Sequence, residues 1–264
     1  MLRFDRTRFS NAYAGAFPKP ARPPTAIEGL NALLTSVEGD AGIDDIRWIA
    51  YMFATIKHEC ANAWIPVTER GNRSYFDKYE TGTAIGARLG NTEPGDGFLY
   101  RGRGYVQITG RRNYTLLGQK LHMGQALAKE PDLALSQDVA YKIMSYGMRN
   151  GTFTGRKLSQ FIGPGQCDYK NARKIINGLD QADRIASYAT ALEQILRASL
   201  ATTAAAASSS IIAAPATPTP VSVAPAPVKP VAPVKEVESI VPVPGVPPHQ
   251  RFGFFGGLMS AIQP

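Results

Sequence analysis

Apolar positions recur at helical intervals along most of the chain. Ile27, Leu30, Leu33, Leu34 and Val37 stand three and four residues apart behind Thr25, a capping residue, and predict a helix that Gly39 and Gly42 end. A second helix opens at Asp44 or Asp45 and carries Ile46, Ile49, Met52, Phe53 and Ile56 on one stripe to about Ala61. Further helices are expected over 113–121, 139–149, 158–162, 169–176 and 180–200. The last has Ile185, Tyr188, Ala189, Leu192 and Leu196 on one side. The frame is therefore read as mainly α.

Two stretches break the rhythm. Residues 62–104 are rich in glycine and lack a sustained period, which predicts a long elaborated loop region with room for a short β-hairpin. Such loops on a rigid helical frame often carry catalytic groups. Residues 105–109 (YVQIT) alternate polar and apolar, so an extended piece would point Gln107 and Thr109 to one side. Residues 1–24 end in Pro18, Pro20, Pro23 and Pro24 and read as a poorly structured N-terminal lead-in.

Composition divides the chain more sharply. Residues 215–248 hold 11 of the 20 prolines, so 201–251 are expected to form a disordered, flexible Pro/Ala-rich linker outside any packed core. Residues 252–264 make a short apolar end (FGFFGGLMSAI over 252–262), too short to span a bilayer but suited to weak contact with a membrane or partner. The folded domain is placed at 25–200, ample for a core. Net charge is +8, of which the tail from Ser199 onward contributes +1, leaving +7 on the folded part. A basic surface concentrates polyanions, whether nucleic acid, anionic lipid or the acidic polymers of a bacterial wall. Two cysteines, Cys60 and Cys167, do not make a disulfide scaffold and are compatible with synthesis in a reducing cytoplasm. No Sec signal and no transmembrane run are visible.

The carboxylates carry the candidate chemistry. Glu59 lies three residues after Ile56 and seven after Met52, which puts it on the buried stripe. Loss of solvation there raises a carboxyl pKa, as a general acid requires, although an ion pair across a helix interface would use the same position. Glu69, ten residues on, is placed to face it across a groove. Two facing carboxylates are the working parts of most glycosidases, and their separation sets the outcome. Asp77, Glu80, Glu93 and Asp96 compete for the second role. Tyr75, Phe76, Tyr79, Phe98, Tyr100 and Tyr105 are candidates to stack on sugar rings, most of them equally suited to packing.

Other chemistries fit poorly. A helix-borne zinc site needs a second His four residues after His58, where Asn62 stands. No metal or other cofactor is expected. A cysteine nucleophile needs a paired His, but Cys60 and His58 diverge on a helix. Arg and Lys are scattered rather than gathered on one helix face, so no nucleic-acid partner is expected. A non-catalytic wall-binding module is the remaining rival.

Taken in order, the series His58-Glu59, Glu69, Tyr100 to Gly110 (YRGRGYVQITG), Asn113-Tyr114, Ile175 to Gly178 (IING) and Asp183-Arg184-Ile185 resembles glycoside hydrolase family 19, the chitinase-like branch of the lysozyme superfamily that includes phage endolysins. The resemblance covers roughly residues 25–197. It implies two mainly helical lobes with a central cleft, and an inverting cleavage of β-1,4 bonds in peptidoglycan or a chitin-like polysaccharide. Glu59 matches the acid and Glu69 is the counterpart of the base, with Glu80 in reserve. Thr109 matches the residue that helps hold the water. Gln107, Asn113 and Asn177 match groups lining the groove, joined by His58 and Tyr105, and Arg184 matches an Arg near the acids. The lack of the plant enzymes' cysteines and a shorter stretch after Asn177 favour a lysin. Such a protein is expected to be monomeric, made in the cytoplasm and active on the wall after release.

Overall fold

The computed structural model describes residues 2–18 and 24–201, so the linker and apolar end read from composition lie outside the described residues. Ten α-helices follow one another among these residues: α1 (Arg6–Ala16), α2 (Pro24–Gly39), α3 (Ile46–Glu59), α4 (Ala84–Leu89), α5 (Asp96–Leu99), α6 (Arg111–Lys120), α7 (Ala126–Lys129), α8 (Gln137–Asn150), α9 (Tyr169–Ala172) and α10 (Ala182–Ala198). Two antiparallel ladders, each two residues long, punctuate them. β1 (Val67–Thr68) pairs with β2 (Arg103–Gly104), Val67 opposite Gly104, and β3 (Ile162–Gly163) pairs with β4 (Gln166–Cys167). The mainly α expectation holds.

The axis of the molecule is α3. The Asp45 carboxylate caps it, accepting from the Arg47 amide at 2.9 Å. Every side chain from Ile49 to Ile56 is fully buried, including those off the predicted stripe. A helix covered on all sides belongs in the middle of a core. Along it packs α10, with α1 and α9 against α10 in turn. At Gly29 in α2 the Trp64 backbone crosses so closely that a Cβ would stand 2.3 Å from the Trp64 carbonyl oxygen.

Apolar burial forms two unequal clusters. The large one surrounds α3; the small one comprises Phe76, Tyr79 and Leu89, with Tyr75, Ile85 and Phe98 packed against them. The second cluster organises the glycine-rich region. That region holds β1, a 3-10 stretch (Arg73–Tyr79), α4 and α5, and is far less irregular than its composition suggests.

Two expectations are corrected. Within the expected lead-in of 1–24, the described residues 2–18 are not loose: Asp5 caps α1, and Phe9 and Tyr13 are buried in the large core. Phe4 bridges to Leu200, the Asp5 amide donates to the Ser199 carbonyl at 2.8 Å, and buried Glu38 accepts from the Phe4 amide and from Arg6. Phe9, Tyr13 and Phe17 recur every fourth residue, a short apolar stripe that the nearby prolines obscure. Residues 105–109 are not extended either. Arg103 and Ile108 exchange backbone hydrogen bonds across a tight turn in which Gln107 adopts φ +52°, so Gln107 and Thr109 do not share a face by strand alternation. Elsewhere the expected helix at 158–162 is a 3-10 turn (Leu158–Gln160) running into β3.

Because Phe9 is 2% exposed, its truncation to alanine is expected to lower unfolding free energy by roughly 3–5 kcal/mol in a urea titration. A loss under about 0.5 kcal/mol would instead mark α1 as a surface appendage.

Candidate active site

Glu59 is the last residue of α3, and the way the helix stops fixes where it sits. The Asn62 amide reaches back to the Lys57 carbonyl at 3.1 Å and the Ala61 amide to the His58 carbonyl at 3.3 Å, the paired bonds of a Schellman ending. This ending usually takes glycine, yet Ala61 adopts φ +47°, Asn62 +64° and Trp64 +60°. A left-handed conformation costs an L-residue roughly 1–2 kcal/mol, somewhat less for asparagine. The turn is therefore held by its surroundings.

The Glu59 side chain is 2% exposed, and Arg173 Nη1 donates to its Oε1 at 2.7 Å. Arg173 is itself 1% exposed, set in a 3-10 turn (Arg173–Ile175), with Nε bonded to the Asp180 carbonyl at 3.2 Å. Burial pushes the Glu59 carboxyl up, Arg173 pulls it down by charge and hydrogen bond, and nearby Asp180 adds to the rise. Burial prevails, and the pKa stands at about 7. The ion pair that competes with a catalytic role at such a position is thus present, and yet the group holds its proton far better than an ordinary carboxyl. His58, half-buried beside it, is pushed down to about 4 by burial and by the charges of Arg173 and Arg184, so it is neutral near pH 7.

Glu69 follows β1 directly. Its amide donates to the Gly102 carbonyl at 2.7 Å, and the Gly102 amide donates to its Oε2 at 3.0 Å. The Tyr79 hydroxyl donates to Oε1 at 3.1 Å, with Tyr75 bonding to the same carboxyl. Glu69 is buried, and burial raises its pKa against the pull of those bonds and of Lys78. Its competitors are engaged otherwise. Glu80 Oε2 accepts from the Gly95 amide at 2.8 Å, tying down the start of α5. Asp96 is locked to Arg111 and to the Thr92 and Glu93 amides; burial opposes ionisation there, but these bonds outweigh it and its pKa is lowered. Asp77 and Glu93 are exposed.

The remaining predicted site residues fall into four groups. Gln107, Thr109 and Asn113 form a buried chain: Gln107 Nε2 donates to the Val67 and Gly104 carbonyls at 2.7 and 3.0 Å, Thr109 Oγ1 to the Gln107 carbonyl at 3.1 Å, and Asn113 Nδ2 to the Thr109 carbonyl at 2.6 Å. Within it Gln107 Oε1 is buried without a hydrogen-bond partner, and so, on the Arg173 side, is Asn177 Nδ2. Arg184 is exposed and reaches the site only through its charge on His58. Tyr105 is fully buried, its hydroxyl 3.5 Å from the Trp64 carbonyl; it is a packing residue, which corrects the expectation that it contacts sugar. Tyr100, Phe76 and Tyr79 are buried as well.

Sequence reasoning missed Arg173. It is followed by exposed Lys174, just ahead of the Ile175 to Gly178 series, and nothing in the local sequence distinguishes it from that neighbouring cation. Among the described residues no group of three His, Cys, Asp or Glu converges as a metal site.

No family model matches the chain, and no curated protein does. Among solved structures it is similar to chitinase C from Streptomyces griseus HUT6037, with 20% identity, a TM-score of 0.45, and coverage of 74% of this chain and 76% of that one. A bacterial family 19 chitinase is similar at 20% identity with a TM-score of 0.49, over 73% of this chain and 94% of that one. At such identity and score neither likeness decides what this chain does.

Gly102 is expected to tolerate no side chain. A Cβ there would stand 2.9 Å from Gln107 Oε1, 3.1 Å from Glu69 Oε2 and 3.2 Å from Glu69 Cβ, with the Gln107 amide already pinned by two bonds. Gly102→Ala should lower stability by roughly 1–3 kcal/mol in chemical denaturation. An unchanged midpoint would show the Glu69 carboxyl to be loosely held.

Proposed function

We propose that the protein is a glycoside hydrolase that cleaves β-1,4 bonds in peptidoglycan strands, with Glu59 as general acid and Glu69 as general base in an inverting reaction. The observation that carries this reading is Glu59 itself, a dry carboxyl with a pKa near 7 at the end of a rigid helix. A group that keeps its proton at working pH can pass it to the glycosidic oxygen as the bond breaks. Glu69, held by one backbone amide and two tyrosines, would take the proton from water. Thr109 gives its single hydroxyl proton to the Gln107 carbonyl, which leaves its lone pairs to accept from such a water.

The charge of +7 on the folded part favours an anionic wall polymer over neutral chitin. Mass spectrometry of products from purified peptidoglycan and from chitin oligomers tests the substrate, the bond cut and the stereochemical course together. Cleavage of chitin alone would move the assignment to a chitinase, and binding without cleavage to a wall-binding module.

Glu59→Gln is expected to abolish turnover while the protein stays folded, and Glu69→Gln to reduce it at least ~100-fold. Near-parent rates from Glu59→Gln would end this reading, and a loss seen only in Glu80→Gln would reassign the base.

The pH dependence has a definite sign. Glu59 works protonated, so kcat/KM should fall as pH rises above about 7, and Glu69 works ionised, so the acid limb should lie above the ordinary carboxylate range. Stability follows the same direction at Glu59. A raised carboxyl pKa contributes stability that is complete below about 4.5 and is lost as pH rises through about 7. Denaturation curves of parent and Glu59→Gln should therefore differ in slope against pH across that window.

A further inference from the structure

The two carboxylates are joined by only nine intervening residues, 60–68. Residues 60–64 are the left-handed turn that ends α3, and β1 then delivers Glu69. This turn begins the covalent link from acid to base, and the spacing of such a pair decides whether a water fits between them. Three of its residues adopt conformations that L side chains resist, so something outside the turn must hold it.

The holding groups come from α1 and its neighbours. Lys57 Nζ donates to Asn62 Oδ1 at 2.6 Å and to the Tyr13 hydroxyl at 3.1 Å. Trp64 Nε1 donates to the same hydroxyl at 3.2 Å. Both donors lack acceptor capacity, so the Tyr13 oxygen accepts twice and spans the two ends of the turn. Its ring meets Trp64 edge-on at 5.7 Å, and the Lys57 ammonium lies over Phe17 at 4.0 Å and Tyr188 at 5.1 Å. Lys57, Tyr13 and Trp64 are all buried. A buried ammonium among aromatic faces is directional and leaves little play in what it holds.

We infer that Tyr13, with Lys57 and Asn62, is a positioning cluster that fixes the Glu59-to-Glu69 spacing, so that the N-terminal helix acts on the reaction through the turn. The inference rests on the reading of those two carboxylates as acid and base. Tyr13 touches neither and takes no part in proton transfer. A cluster that merely stabilises the fold would alter the melting temperature and leave kcat and the pH limbs alone. A positioning cluster alters kcat, because a misplacement of about 1 Å can lower a rate by as much as 100-fold.

The test is kinetic, on full-length protein acting on purified peptidoglycan sacculi. Tyr13→Phe keeps the ring and removes the double acceptor. It is expected to lower kcat by roughly ten- to a hundredfold with KM unchanged, and to displace the alkaline limb of kcat/KM. Asn62→Leu, which removes the Lys57 acceptor, should do the same, while Asn62→Asp keeps an acceptor and should restore most of the parent kcat. The Asn62 pair carries the test if Tyr13→Phe does not fold. Parent kcat and limbs in Tyr13→Phe or Asn62→Leu, with Glu59→Gln inactive, would overturn the cluster's role alone. Activity retained in Glu59→Gln would overturn the acid assignment and this inference with it.

Discussion

The site depends on a contest over one proton. Removal of water drives the Glu59 carboxyl toward its neutral form, and the Arg173 guanidinium at 2.7 Å drives it toward the anion. Were the guanidinium to prevail fully, the pair would be an ordinary buried ion pair that holds helices together and gives up no proton. Were burial unopposed, the carboxyl would be pushed higher still. A balance near neutrality requires both, with the guanidinium itself almost wholly enclosed. The guanidinium is also anchored, through Nε, to the Asp180 carbonyl. A mobile cation would shift the balance with every excursion.

The scaffold serves the two acids by different means. Glu59 inherits its position from a helix buried on every side, whose axis cannot tilt without disturbing the large core. Glu69 is fixed by backbone pairing, since its own amide donates to the Gly102 carbonyl and extends the ladder begun by β1 and β2, while its carboxyl accepts from the Gly102 amide and from tyrosines next to and within the small cluster. One carboxyl thus belongs to each core.

The part of this arrangement that was legible in the sequence is the part carried by periodicity. The stripe from Ile46 to Ile56 located α3 and placed Glu59 on it, and the spacing of Ile185, Ala189, Leu192 and Leu196 located α10. What escaped had no period to read. Arg173 acquires its meaning from a residue 114 positions away, and no local pattern marks such a pair. The turn at 105–109 looked extended because polar and apolar residues alternate there, yet the bonds between Arg103 and Ile108 outweigh that preference. In α1 two buried aromatics were too few to stand out beside four prolines, although the cap at Asp5 was present. The partners of Glu80 and Glu69 were equally invisible in the sequence: a helix-start amide for one, the Gly102 amide and two tyrosines for the other.

Gly29 has a bearing on how this protein can vary. It sits in the middle of α2, where alanine would ordinarily be the better helix former. The Trp64 carbonyl occupies the room a methyl group would need, and that carbonyl is backbone, unable to swing aside. Improving the helix by propensity alone would lever the segment between Glu59 and Glu69 out of place. The position thus has room for a hydrogen atom alone, and thermal stabilisation of α2 has to be sought at its other residues.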